Sequence, residues 1–376
     1  MAAETKASKI IEALGLLLGM IIGAGLFALP YSFSKSGVLA GSLIFVGVFL
    51  ISWLMHLLFS AIIYSTPGKH RFPGYIKIHL GDGASQIAFI FSILSAYGAM
   101  LAYGILGSIF LGAIFGLDFF WGGVIFFVIG GILFFLSLRE VGKINFYLTF
   151  LLLAFILVLS FWLLPDISSQ NFNPPSVPDW FLPYGILLFA FGGYSALPDL
   201  HDVMGRDSRS LSKKIIFWSI FISAIFYLIF IFAVLGTTGS ATTEDAILGL
   251  GGIIGNSAVL IGSIIGILTV FTSYIVFGAD LKLTFEYDYK FPDFASWFFS
   301  FLPPIAIFAL GFNDLVKILS IVGSVGLGIF AIFILIISWK EGRNLSHYLG
   351  FTPKAAWLLP LGILIIIGAL QDIFKF

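Results

Sequence analysis

Eleven long apolar stretches follow one another along this chain, separated by short polar connections, and few folds accommodate such a pattern. They run from residue 10 to 33, 38 to 64, 84 to 116, 119 to 138, 144 to 164, 182 to 200, 214 to 236, 257 to 280, 294 to 312, 315 to 338 and 356 to 374. An α-helix rises about 1.5 Å per residue, so roughly 20 apolar residues cross the roughly 30 Å hydrocarbon core of a bilayer. The chain is 60% hydrophobic and 10% charged, with mean hydropathy +1.10 over 376 residues, a surface that water does not tolerate. The solvent is therefore lipid. The expected fold class is an all-α integral membrane bundle of about eleven transmembrane helices, in a single domain over 1–376.

The basic residues give the bundle a direction. With the N-terminus in the cytoplasm, Lys35, Lys317 and Lys375 fall outside and the rest of the 19 lysines and arginines fall inside. A missed span would scramble that division, so the positive-inside bias supports the span assignment and predicts a multi-pass protein of the cell membrane, N-terminus in and C-terminus out. Lys6 and Lys9 precede an apolar run longer than a signal-peptide core, which reads as a retained helix.

Several functions are disfavoured. Formal net charge is zero, which gives no footprint for nucleic acid. With no cysteine there is no disulfide, thiolate metal site or cysteine nucleophile. Of the five histidines only His56 falls within a span, so converging acid/base groups for a membrane enzyme are not in view. The expected partners are the bilayer and a small-molecule substrate, with no cofactor and no obligatory protein partner.

The most informative pattern is internal. Gly23-Ala24-Gly25-Leu26-Phe27-Ala28-Leu29-Pro30 in the first span aligns with Phe191-Gly192-Gly193-Tyr194-Ser195-Ala196-Leu197-Pro198 in the sixth. The first helix runs outward and the sixth inward. Two five-helix halves of opposite orientation, 10–164 and 182–338, each opening with a glycine-broken helix, form the pattern of an inverted-repeat transporter, with 356–374 as an additional helix. Glycine costs a helix about 1 kcal/mol relative to alanine, and the following proline removes a backbone donor, so each helix is expected to unwind there. Unwound backbone survives at membrane depth where it faces protein or a water-filled cavity. The competing explanation is close packing of small residues between helices.

Direction then assigns roles. The outer half of the first helix begins near Gly25, so free N–H groups of Ala24, Gly25 and Leu26 sit at a positive dipole end suited to a carboxylate. The outer half of the sixth helix ends at Ala190 and Phe191, whose carbonyls suit an ammonium group. An anion receptor facing a cation receptor matches a zwitterionic α-amino acid. Gly193 leaves room, and Tyr194 with Phe191 flanks an aromatic or branched side chain. Tyr97 and Tyr103 on the third helix are further cavity candidates.

The stretch Gly19-Met20-Ile21-Ile22 followed by the 23–30 motif resembles the first helix of amino acid/polyamine/organocation superfamily permeases. Phe189 to Pro198, and Tyr97-Gly98-Ala99-Met100-Leu101-Ala102-Tyr103, are similar to the amino acid/auxin permease branch and the bacterial aromatic amino acid permeases. The resemblance covers the chain in span order. It implies the LeuT-type five-plus-five fold with discontinuous helices 1 and 6 and leaves the substrate open; with the zwitterion receptor above, the expected function is secondary active transport of neutral amino acids by sodium-coupled symport. It also implies a sodium site from the carbonyls of Gly19 and Ile22 and the hydroxyls of Thr269, Thr272 and Ser273. Those three lie at i, i+3 and i+4 on one face of helix 8. A proton-coupled permease of the same fold and a non-transporting amino acid sensor are the alternatives. Asp199 and Asp280, near the inner ends of helices 6 and 8, read either as solvated interfacial carboxylates or as partners of Lys6, Lys9 or Arg206 in an inner gate, and Pro73 to Leu80 reads as a short interfacial helix.

Overall fold

The computed structural model describes residues 6–135, 138–205 and 208–375, and among them all regular structure is helical. The first predicted span is two helices, α1 (Lys6–Ile21) and α2 (Ala24–Ser36), bent by 49° at the break. Then come α3 (Val38–Ser65), the short α4 (Phe72–Leu80), α5 (Asp82–Phe115), α6 (Phe119–Ile132) and α7 (Leu138–Leu163). The sixth span is also two pieces, α8 (Pro183–Ala190) and α9 (Leu197–Met204), joined through a 3₁₀ turn at Tyr194–Ala196. The chain continues with α10 (Arg209–Thr238), α11 (Gly251–Ile254), α12 (Asn256–Tyr289) and α13 (Asp293–Ala309). The tenth span is α14 (Leu315–Ile321), a π-helical segment Val322–Leu327, and α15 (Gly328–Lys340); α16 (Gly342–Leu349) and α17 (Ala355–Lys375) end the chain.

By length and apolarity, seven helical segments among the described residues cross a bilayer, and the bent α1–α2 pair makes an eighth. The apolar helices over Phe119–Phe135 and Asp293–Ala309 are shorter. The sixth span is divided by its break into two eight-residue pieces, as its glycines predict. Helix α12 lies against α5 and α7, and α8 is enclosed by α2, α3 and the π-helical segment. Helices from the first and second halves of the chain are thus interleaved. Small residues allow close approach: Phe127 and Phe126 fill the space where Gly104 and Gly107 lack side chains, a packing that lipid-embedded helices rely on. The turn from α2 into α3 passes through Gly37 at φ +81, a left-handed conformation that favours glycine, and its amide closes on the Phe33 carbonyl at 2.9 Å.

The short helix expected over Pro73 to Leu80 forms as α4, with its aromatic face turned into the bundle. Phe72, Pro73, Tyr75 and Ile76 are buried, and the Phe72 ring stacks on Phe330 with centroids 4.0 Å apart. Its aromatic face is taken up by the bundle, leaving Lys77 and His79 at the polar edge.

Candidate substrate cavity and its relatives

The two helix breaks lie side by side. An added Cβ on Gly25 would stand 2.7 Å from both Cα and Cβ of Ala190, so the start of α2 touches the end of α8 backbone to backbone. Tyr227 on α10 ties them: its hydroxyl lies 2.8 Å from the Ile21 carbonyl and 2.7 Å from the Ala190 carbonyl, the last residues of α1 and α8. The hydroxyl has one proton, so it donates to one carbonyl at a time or shares it between the two. At the start of α2 the Leu26 amide donates to the Gly23 carbonyl at 3.2 Å. A tight first turn therefore engages Leu26, contrary to the expectation of a free amide. Ala24 and Gly25 remain at the N-terminal positions that have no acceptor within their own helix.

A cavity of about 150 Å³ opens beside these breaks, about tenfold the space a single water needs. Gly23, Gly25, Gly192, Gly193 and Tyr194 line it from the broken helices, Tyr103 from α5 and Phe277 from α12. It reaches Arg71, Asp280 and Thr284 at one end of the bundle, the end assigned as cytoplasmic by charge. Its walls are mostly apolar, with Ser92, Ser95, Tyr103 and Ser195 among the polar side chains.

The sequence-assigned residues divide around this space. Gly25, Gly193 and Tyr194 line it, whereas Ala24, Leu26 and Ala190 are buried just behind it. The Phe191 ring points away, packed between Phe45 and Tyr227 at 5.5 and 5.2 Å. Tyr97 stands outside the lining, its hydroxyl donating to the Phe299 carbonyl at 2.6 Å. Tyr103 is the α5 tyrosine that lines the space, with Ser273 facing its hydroxyl. The ring of His56 lies 4.4 Å from that of Tyr194, and its Nδ1 is 2.8 Å from the Ser52 carbonyl. His56 thus buttresses the broken segment from behind.

On α12, Thr269, Thr272 and Ser273 share one face, and all three hydroxyls donate to carbonyls a turn earlier, at 2.8 to 3.1 Å. Such bonds leave the oxygen lone pairs available, so the set retains the hard-oxygen chemistry that an alkali cation takes. Ser273 lies beside the first-helix break, 3.9 Å from where a Gly23 Cβ would sit. A cleft lined by Gly15, Leu16 and Met20 of α1 and by Val276, Phe277 and Asp280 of α12 separates the inner parts of these helices.

At the Arg71 end of the cavity Asp199 and Asp280 are paired through one bridging cation, Arg71. Arg71, from the connection before α4, lies 3.3 Å from Asp199 on α9 and 3.6 Å from Asp280 on α12. The side chains of Lys6 and Arg206 are outside the described residues. Burial works against the charge of Arg71, but Asp280, Asp199 and Asp202 outweigh it and its pKa stands above the ordinary value. Lys69 adds a link to Asp202 at 2.6 Å. The pairs are partly solvated and each contributes about 0–1 kcal/mol. Replacing Arg71 with glutamine is expected to increase access to the cavity from this end by about two- to fivefold, the ratio that roughly 0.5–1 kcal/mol corresponds to. The protein has no native cysteine, so the alkylation rate of a cysteine introduced as S195C measures this directly.

The overall fold is shared with solved transporters, and the sequence decides the lineage. The pattern of the family described as transmembrane amino acid transporter protein matches residues 6–338. The chain belongs to that family. It is a membrane transporter, not an enzyme. No curated protein matches it closely enough to serve as a relative. Among solved structures, MhsT in complex with L-phenylalanine superposes with TM-score 0.72 at 14% identity, covering 99% of each chain. Mhp1, a nucleobase-cation-symport-1 family transporter in a closed conformation with bromovinylhydantoin bound, gives 0.65 at 12% identity over 98% of this chain and 93% of its own. A mutant manganese transporter from Eremococcus coleocola gives 0.64 at 13% identity, over 100% and 88%. At these identities the likeness carries the LeuT-type fold alone. The transporter's fold class is thereby established, while its cargo rests on the site.

Proposed function

We propose that this transporter is a secondary active carrier of neutral amino acids, aromatic or branched ones foremost, working by alternating access and coupled to sodium as a symporter. The observation that carries the reading is the cavity lined by both helix breaks, where α2 presents N–H groups and α8 ends in carbonyls beside mainly apolar walls. An α-carboxylate is taken at Ala24 and Gly25, an α-ammonium at the carbonyls of Ala190 and Phe191, and the side chain lies towards Gly193, Tyr194 and Tyr103. Sodium is taken between the carbonyls of Gly19 and Ile22 and the hydroxyls of Thr269, Thr272 and Ser273. Eleven spans in two inverted repeats, 10–164 and 182–338, with 356–374 as an additional helix, put the N-terminus in the cytoplasm and the C-terminus outside. The cavity then faces the cytoplasm.

The alternative is a proton-coupled permease of the same fold. Reconstitution in liposomes separates the readings. Uptake of labelled neutral amino acids is expected under an inward sodium gradient and absent under a proton gradient alone, and the double replacement T272A/S273A is expected to lower the sodium-driven rate at least tenfold. Uptake driven by protons alone would retain the carrier and remove the sodium site. No uptake in either arm by folded protein would return the reading to an amino acid sensor. Equal competition by analogues lacking the carboxylate or the ammonium would overturn the zwitterion receptor.

A further inference from the structure

The eleventh predicted span holds a charged residue that neither the repeats nor the cavity explains. Asp372, on α17, is fully buried, and α17 lies beyond the 6–338 segment that matches the family. Ser320 at the end of α14 donates to its Oδ2 at 2.8 Å, and the Ser324 hydroxyl of the π-helical segment faces the same carboxyl. Its Oδ1 is buried without a hydrogen-bond partner among the described residues. An ionised carboxylate in such a setting is costly unless a cation meets it, whereas a carboxylic acid is tolerated.

The charges that act on the carboxyl through space include Lys375 and Asp179, of opposite sign. Lys375, one turn further along α17, is engaged with Asp179 of the 165–182 connection. From α8 the facing titratable group is Tyr184, whose hydroxyl is also unpartnered among the described residues. Helix α14 carries Lys317, one turn before Ser320, and α15 carries Lys340, at its far end on the His79 carbonyl at 2.6 Å.

We propose that Asp372 is a proton-binding site whose occupancy is coupled to movement of α8 and the π-helical segment, and so to the transport cycle. In the bound state Oδ1 carries the proton and Oδ2 accepts from Ser320; release returns the proton to water and leaves a carboxylate that draws in solvent. The mechanical link is short. An added Cβ at Gly185 of α8 would stand 2.5 Å from Asp372 Oδ2, and one at Gly323 would overlap the Gly185 carbonyl, so carboxyl, π-helical segment and α8 are in contact without filler. The same π-helical segment puts Val322 and Leu327 into the cavity wall. π-Helical segments recur where a helix serves function at some cost in regularity. A change at the carboxyl therefore reaches the cavity wall through one layer of packing.

The coupling rests on the carrier reading; the proton site does not, and the test keeps them apart. Infrared spectra of the purified protein at neutral pH are expected to show a carboxylic acid C=O band that shifts in heavy water and is lost in D372N. In S320A, which removes one hydroxyl from a buried site, the band is expected to remain at a shifted frequency. In liposomes, amino acid uptake by the parent protein is expected to vary with pH at fixed sodium gradient, and D372N to lose that dependence. A folded D372N that retains the band or the pH dependence would overturn the proposal, as would an S320A band identical to the parent's. A band that behaves as expected in a protein that carries no amino acid upholds the proton site and removes the carrier reading instead.

Discussion

Replacing Gly25 with valine is expected to abolish amino acid uptake, at least a tenfold loss, while the protein still inserts in the membrane. The reason is local. A Cβ at residue 25 would lie 2.7 Å from the Cα and Cβ of Ala190 and 3.1 Å from its amide nitrogen. Backbone cannot swing aside as a side-chain tip can, so α2 and α8 must separate or one must shift. Overpacking a close contact costs about 1–3 kcal/mol, or roughly a factor of five to more than a hundred in an equilibrium between conformations. Gly23 provides the contrast: its Cβ would meet the Tyr103 hydroxyl at 3.2 Å, and a phenol can give way by a few tenths of an ångström. G23A is therefore expected to retain more uptake than G25A. Wild-type transport in G25V would show that the α2–α8 contact is not kept through the cycle, and would leave the two glycine breaks without a shared site.

The same comparison shows what was legible in the sequence. Glycine and proline punctuate a helix through the backbone itself, so the breaks at 22–23 and 191–193 can be read from residue types and their repetition. Apolar run length and the bias of lysine and arginine supply the long helices and the proposed orientation. Where a side chain points is harder to read. Tyr97 and Tyr103 are six residues apart, which at about 100° per residue places them some 120° apart around the helix. Both cannot face one cavity: Tyr103 lines it and Tyr97 reaches α13. Arg71 lies in the polar stretch between two apolar runs, yet α4 docks into the bundle and carries that connection over the cavity rim. Asp372 lay at the edge of an apolar run, where an interfacial carboxylate is the default expectation. Its burial comes from α8 and α14, distant in sequence. Each of these depends on contacts between segments far apart in the chain, which a single helix's periodicity does not encode.

Tyr227 was missed for the same reason, and it carries the second large effect. Its partners are backbone carbonyls, which have no signature in residue types, and it is one of 13 tyrosines. Replacing it with phenylalanine keeps the ring, which packs 5.2 Å from Phe191, and removes the hydroxyl shared by Ile21 and Ala190. A buried acceptor left without its donor costs about 1–3 kcal/mol. Here the loss falls on the carbonyl end of α8, the proposed ammonium receptor. With the hydroxyl present, one lone pair of Ala190 is engaged and the carbonyl is held in a fixed direction, so an incoming ammonium meets a preorganised acceptor. Without it the ends of α1 and α8 are no longer tied, and binding must supply that order. Y227F is expected to raise KM for amino acid uptake about tenfold, which corresponds to roughly 1.4 kcal/mol, with a smaller change in maximal rate. A lowered Tm with unchanged KM would make the hydroxyl a scaffold for the helix break alone and move the ammonium receptor away from Ala190.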